Sequence, residues 1–219
     1  MITYHKEVGF MSIGIGDNLT GSFGYAKDNL WGKFGNWLIL AILTIIPIVN
    51  WIAIGTYIKV LRGEEPKLEN IGKSFVDGLL ALIICIIYML IPAIIAIILG
   101  VGGGLAAGLS GSQAVAGGVG IGIMILCLIL FLLFSLLMIP AIVNFARGGF
   151  GAAFSFGTIF GMISKVGWLK YILAIIVIWI IFAIISLLGA IPFIGWLIMI
   201  ILAPFLAIWS FKYFANLFE

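Results

Sequence analysis

Three long stretches of this chain, 34–58, 78–146 and 171–211, contain no charged residue. A long helix in a water-soluble domain must turn one face to water and carries charges there. In a bilayer the solvent is itself apolar, so the whole circumference is free to be Ile, Leu, Val and Phe. Composition agrees, with 64% hydrophobic and 9% charged residues among 219, far outside the range of a soluble domain. The fold class is therefore all-α: a polytopic helical membrane protein with four full spans, one apolar segment broken at Pro47, and amphipathic helices at the membrane surface. Residues 1–33 are glycine-rich and of mixed charge, unlike a secretory signal peptide. A net charge of +3, scattered along the chain, excludes nucleic acid as an expected partner.

The whole chain, 1–219, reads as a single membrane domain. The 69-residue apolar stretch 78–146 is too long for one crossing, and its middle is the run GVGGGLAAGLSGSQAVAGGVGIG. Glycine is a poor helix former in water. The expectation is two spans within 76–145 joined by a flexible loop over 100–122. A second pair occupies 168–213, turning at Gly189-Ala190-Ile191-Pro192. Cys85 and Cys127 enter the membrane from opposite ends of the first pair. At about 1.5 Å per residue their depths differ too much for a disulfide, so both are expected as small apolar residues.

The segment 36–62 admits two readings. As one helix, 34–58 is long enough to cross with a kink at Pro47. Alternatively Pro47-Ile48-Val49-Asn50 turns the chain back at mid-membrane, with Asn50 capping the second half. Charge bears on the choice. With a hairpin, all eleven Lys and Arg residues fall on one face. With a continuous helix, Lys6, Lys27 and Lys33 go to the far face. Both arrangements obey the positive-inside rule, the hairpin completely, and it places the charged loops in the cytoplasm of a cell membrane.

Internal similarity favours the hairpin. Pro47-Ile48-Val49-Asn50-Trp51 resembles Pro192-Phe193-Ile194-Gly195-Trp196, and Gly32-Lys33-Phe34-Gly35 resembles Ser164-Lys165-Val166-Gly167. The unit suggested is an interfacial helix, an apolar hairpin and an aromatic-basic anchor. Anchors are expected at Lys59, Arg62, Arg147, Lys170 and Lys212, several beside an aromatic residue as at membrane interfaces.

Three segments show helical apolar periodicity. The N-terminal interfacial segment 1–35 carries Leu19, Phe23, Ala26, Leu30 and Phe34, with Asp17 placed as an N-cap. Within 149–166 the stripe is Phe156, Ile159, Phe160, Ile163 and Val166. The shorter 67–77 has Leu68, Ile71 and Phe75, and a Lys73–Asp77 pair at i,i+4. Such helices lie in the headgroup region with the apolar side in lipid, bracing the bundle or docking partners.

Chemistry-bearing residues are few. His5 is the only histidine, and no zinc-binding or paired-carboxylate motif occurs, so an enzyme and a cofactor are not expected. Polar groups at membrane depth are Asn50, Tyr88, Ser135 and Asn144, with Thr44, Thr56 and Ser186; their expected role is bonding a neighbouring helix. Glu64, Glu65 and Glu69 read as a solvated loop. Spacings of GxxxG type, Gly104 to Gly108 and Gly157 to Gly161, are candidates for close helix contact.

The run Gly24 to Trp37, the segment IIPIVNWIAIGTYIKVLRGEEP (45–66) and GKSFVDGLLALIICIIYMLIPAII (72–95) together resemble the archaeal multi-spanning proteins catalogued as domain of unknown function 4013. The likeness is clearest over 15–100, and most specific from Ile46-Pro47 to Arg62-Gly63-Glu64. It implies an archaeal cell membrane and carries no activity, ligand or site residue. The functional expectation is a non-enzymatic accessory, scaffold or assembly protein that binds membrane lipids and a membrane-protein partner or a second copy of itself. The alternative is a small-molecule or lipid transporter or channel, for which the duplication and the prolines Pro92, Pro140 and Pro204 speak.

Overall fold

The computed structural model describes residues 14–219; His5 and Lys6 lie outside the described residues. Among these the chain forms eight α-helices and no strand: α1 (Ile15–Leu30), α2 (Phe34–Ile45), α3 (Asn50–Leu61), α4 (Ile71–Ser110), α5 (Gln113–Gly148), α6 (Phe156–Val166), α7 (Trp168–Ser186) and α8 (Gly195–Leu217). A 3-10 segment, Phe150–Phe154, follows α5, and another, Leu187–Ala190, extends α7. Four helices are long and apolar enough to cross a membrane: α4, α5, α7 with its extension, and α8.

The Pro47 segment is a hairpin. Its arms α2 and α3 have 12 residues each, about 18 Å, short of a hydrocarbon core of about 30 Å. The Asn36 side chain at the start of α2 donates to the Pro66 carbonyl just beyond α3, 3.2 Å away. The chain therefore returns to the end from which it entered. Val49 N–H bonds the Pro47 carbonyl (2.8 Å) across Ile48, whose φ is +70°. This is a three-residue γ-turn of the rare positive-φ kind, strained for a β-branched residue. The α7–α8 connection has the same bonding. Ile194 N–H meets the Pro192 carbonyl at 2.8 Å across Phe193, at φ +65°. In both turns the next N–H, of Asn50 or Gly195, bonds back to the residue before the proline at 2.9 Å. The positive-φ glycines preceding α2 and α7 are Gly32 and Gly167, three positions away from the sequence pairing.

The glycine-rich run departs from expectation. Apart from a turn at 111–112, residues 100–122 are helical, and α4 alone has 40 residues. Propensities measured in water rank glycine about 1 kcal/mol below alanine. Where the backbone is shielded from water, by lipid or by protein, an unpaired group costs several kcal/mol, which favours a continued helix. The α4–α5 hairpin consequently extends about 60 Å, roughly twice the hydrocarbon thickness. Its two arms meet where Ile123 and Val119 of α5 lie against Gly103 of α4. Gly104, Gly108, Gly157 and Gly161 have open space around them, so the GxxxG spacings do not mark the contacts.

The closest approach lies elsewhere. A Cβ on Gly55 of α3 would overlap the Ser74 carbonyl of α4, and one on Gly78 would overlap that of Trp51. Helices α3 and α4 thus cross backbone against backbone, as small residues permit in membranes. Two buried clusters flank this crossing. One gathers Ile58, Ile84, Phe145, Ile159, Ile163 and Tyr171 around α4 to α7. The other joins Ala26, Leu30, Leu40, Ala53, Val60 and Ile208 from α1, α2, α3 and α8.

Candidate functional site

The C-terminal ends of α3, α5 and α8 converge on two arginines. Arg62 follows the last residue of α3, and its Nε donates to the Ala146 carbonyl in the last turn of α5 (2.7 Å). Its Nη1 pairs with Asp77 of α4 at 2.5 Å. Arg147 reaches the carbonyls of Ala215 (3.0 Å) and Phe218 (2.9 Å) at the end of α8, and that of Leu61 (3.4 Å). Terminal carbonyls lack intrahelical donors and carry the negative end of the helix dipole, so a guanidinium there satisfies both needs. Lys59 completes the group: its buried ammonium donates to the carbonyls of Lys67 (2.8 Å) and Glu69 (2.6 Å), ordering the loop before α4. Burial pushes the Lys59 pKa down, opposed by the nearby Glu64 and Glu69.

Three of the expected interfacial anchors thus serve as internal clamps, Arg62 and Arg147 on helix ends and Lys59 on the loop before α4. Lys212 lies 3.9 Å from Glu219 and over the ring of Tyr25 at 5.3 Å; Lys170 is partly buried. Asp77 bonds Arg62 in place of the expected Lys73, because α3 lies directly against α4 at this level. Glu65 pairs with Lys67 at 2.8 Å in the solvated loop.

Of the polar residues expected at membrane depth, two act together. Tyr88 of α4 donates to the Ala153 carbonyl and Asn144 of α5 to that of Ala152, each at 2.7 Å, so both hold the 3-10 segment after α5. Ser135 bonds only within its own helix, to Leu132. Asn50 is the first residue of α3 and makes no side-chain cap; its Oδ1 has no hydrogen-bond partner among the described residues. Tyr171 and Tyr213 repeat the logic of Tyr88, donating to the carbonyls of Leu136 and Ala174 on other helices. Both cysteines are free thiols.

Helix α1 divides the expected apolar stripe. Its buried residues are Asn18, Ser22, Ala26 and Leu30, one face at i,i+4 spacing. Phe23 and Phe34 of the expected apolar stripe are exposed. Asn18 donates to the Tyr213 carbonyl (3.0 Å) and accepts from Ser22 (3.1 Å) and Asn216 (3.0 Å). This polar seam to α8 was hidden because the apolar periodicity of α1 is the stronger signal. The N-cap is Gly14, with Asp17 in the first turn. The stripe in 67–77 is likewise altered: the helix begins only at Ile71, which is exposed. In α6, Ile159 and Ile163 are buried while Phe156 and Phe160 are exposed.

On the outer side of α1 lies a groove of about 430 Å³ between α1, α2, α8 and the end of α7. Rings form one wall: Phe23 meets Phe205 at 5.0 Å and Trp209 at 5.6 Å, and Trp37 meets Phe205 at 6.4 Å. Among the described residues no three of His, Cys, Asp and Glu come together as a metal site.

Four apolar helices of crossing length, a hairpin too short to cross and a charged knot at the helix ends define a polytopic helical membrane protein. The chain belongs to the family described as Protein of unknown function (DUF4013), whose model matches residues 39–194. No curated protein and no solved structure matches the chain.

Proposed function

We propose that this is a non-enzymatic accessory or scaffold protein of the cell membrane, which holds a membrane-protein partner, or a second copy of itself, along the α4–α5 arm. One observation carries the reading. The outer half of the arm presents Ile97, Ile98, Val101, Leu105, Leu109, Met124 and Leu128 at 61–90% exposure. No charge occurs there. Measured from Asp77, Leu105 lies about 42 Å along the helix, past the far edge of a core about 30 Å thick. Lipid tails do not cover that part of an upright arm, and a protein partner would. The positive-inside rule assigns the charged base to the cytoplasm.

The identical turns at Ile48 and Phe193 favour a second reading, a duplicated transporter or channel for a small molecule or lipid. Against it, the Tyr88, Asn144, Tyr171 and Tyr213 side chains are engaged with backbone carbonyls of the bundle itself.

Gentle extraction from the native membrane followed by mass measurement of the intact assembly separates the two. The scaffold reading expects a stoichiometric second subunit, foreign or identical. A lone protomer, with other membrane complexes unchanged on deletion of the protein, would overturn it.

A further inference from the structure

The aromatic groove is lined by residues of α1, α2, α8 and the end of α7. Its volume, about 430 Å³, falls within the roughly 300–1,000 Å³ of ligand clefts. The two indole N–H groups of its wall are already used. Trp37 donates to the Ile201 carbonyl at 2.7 Å, and Trp209 to that of Leu19 at 3.1 Å. Both bonds tie the rings to neighbouring helices, so the wall is held in place and only apolar ring faces and edges remain for an occupant. Leu202, Leu206 and Ile185 supply the other surfaces. A polar solute gains nothing from such a lining, whereas a hydrocarbon chain does.

One lining residue is different in kind. Lys27 of α1 is exposed at the groove and enters no ion pair with any described residue. Trp31, 64% exposed, is a second lining residue from the same end of α1. A tryptophan and a lysine beside an apolar slot match the two halves of an amphiphile: the chain below and an anionic headgroup at the polar rim. An uncharged rim would accept any lipid; the unpaired ammonium selects for negative charge.

We propose that this groove is a binding site for one anionic membrane lipid, its acyl chain against the ring wall of Phe23, Phe205, Trp37 and Trp209 and its phosphate at Lys27. The site goes beyond the scaffold reading and is measured on the single protomer, whatever that protomer assembles with.

The full chain is reconstituted into phosphatidylcholine bilayers containing a minority of phosphatidylglycerol, extracted gently and weighed with its bound lipid. The site retains one phosphatidylglycerol per protomer in preference to phosphatidylcholine. Lys27→Gln lowers that retention about fivefold, the loss of one surface ammonium–phosphate attraction. Leu202→Trp, which fills the groove and keeps the charge, lowers retention of either lipid, with thermal unfolding of each variant confirming that it folds. Equal retention of both lipids by the wild type, or retention unaffected by either substitution in a folded variant, would overturn the proposal.

Discussion

The base of the bundle and the outer half of the α4–α5 arm are built from similar apolar sequence and held in opposite ways. At the base, Gly55 and Gly78 bring two backbones into contact, Arg62 and Arg147 satisfy carbonyls at helix ends, and Lys59 satisfies carbonyls of the loop before α4. Along the outer arm the described side chains are almost all exposed, and most glycines face open space. Hydrophobicity alone does not hold helices together in a membrane, because lipid tails are as apolar as leucine. Close backbone packing and polar clamps make the base a fixed structure; the arm is left as a surface.

The sharpest way to break this contrast is to add one methyl group at the base. Gly55→Ala or Gly78→Ala drives a Cβ into backbone of the facing helix, and backbone cannot move aside as a side chain can. A loss of about 3 kcal/mol in a denaturant-unfolding series is expected; an unchanged midpoint would show that the α3–α4 crossing is looser. Next comes the arginine knot. Arg62→Met leaves Asp77 largely buried without its cation and frees the Ala146 carbonyl. Removing one partner of a buried pair costs about 3–5 kcal/mol, and partial exposure of this pair should bring the loss to about 2 kcal/mol. In a double-mutant cycle, Asp77→Asn should recover part of that loss, whereas additive effects would contradict a direct pair.

The tyrosines offer a finer comparison. Tyr88→Phe removes a hydroxyl bonded to Ala153, and a cost of about 1 kcal/mol is expected from the same unfolding series. The Tyr57 hydroxyl is buried without a partner among the described residues, so Tyr57→Phe should be neutral or stabilising. Equal costs at both positions would remove the distinction between clamped and unclamped hydroxyls. The smallest effect belongs to the arm. Gly102→Ala and Gly104→Ala meet open space and should leave stability unchanged or raise it by under about 1 kcal/mol each. Loss of stability there would mean the arm packs against its own bundle.

The spans were legible because absence of charge over such lengths has one physical explanation. The Pro47 hairpin was legible in its charge balance and its likeness to the Pro192 turn, but only the Asn36–Pro66 bond decides between two open readings. The glycine run misled because its propensity was judged on a scale for water. In helix α1 Phe23 is exposed, as a stripe turned to lipid requires, whereas Ala26 and Leu30 pack inward beside Asn18 and Ser22, whose polar partners on α8 are distant in sequence. Gly55 and Gly78 were hidden among 29 glycines, since neither belongs to a GxxxG pair. The three arginine and lysine clamps were recognised as residues that matter at helix ends, while their targets, backbone carbonyls of other helices' ends and of a connecting loop, were not visible in one dimension.

The most direct test of the account asks what covers the arm. A photo-crosslinker placed at Leu105, compared with one at the buried Ile58 of the base, would be activated in the native membrane. The account predicts that position 105 captures a discrete protein, either a second copy or another membrane subunit, while position 58 captures only its own chain. Capture of lipid alone at 105 would contradict the claim that the bare arm is a protein-binding surface.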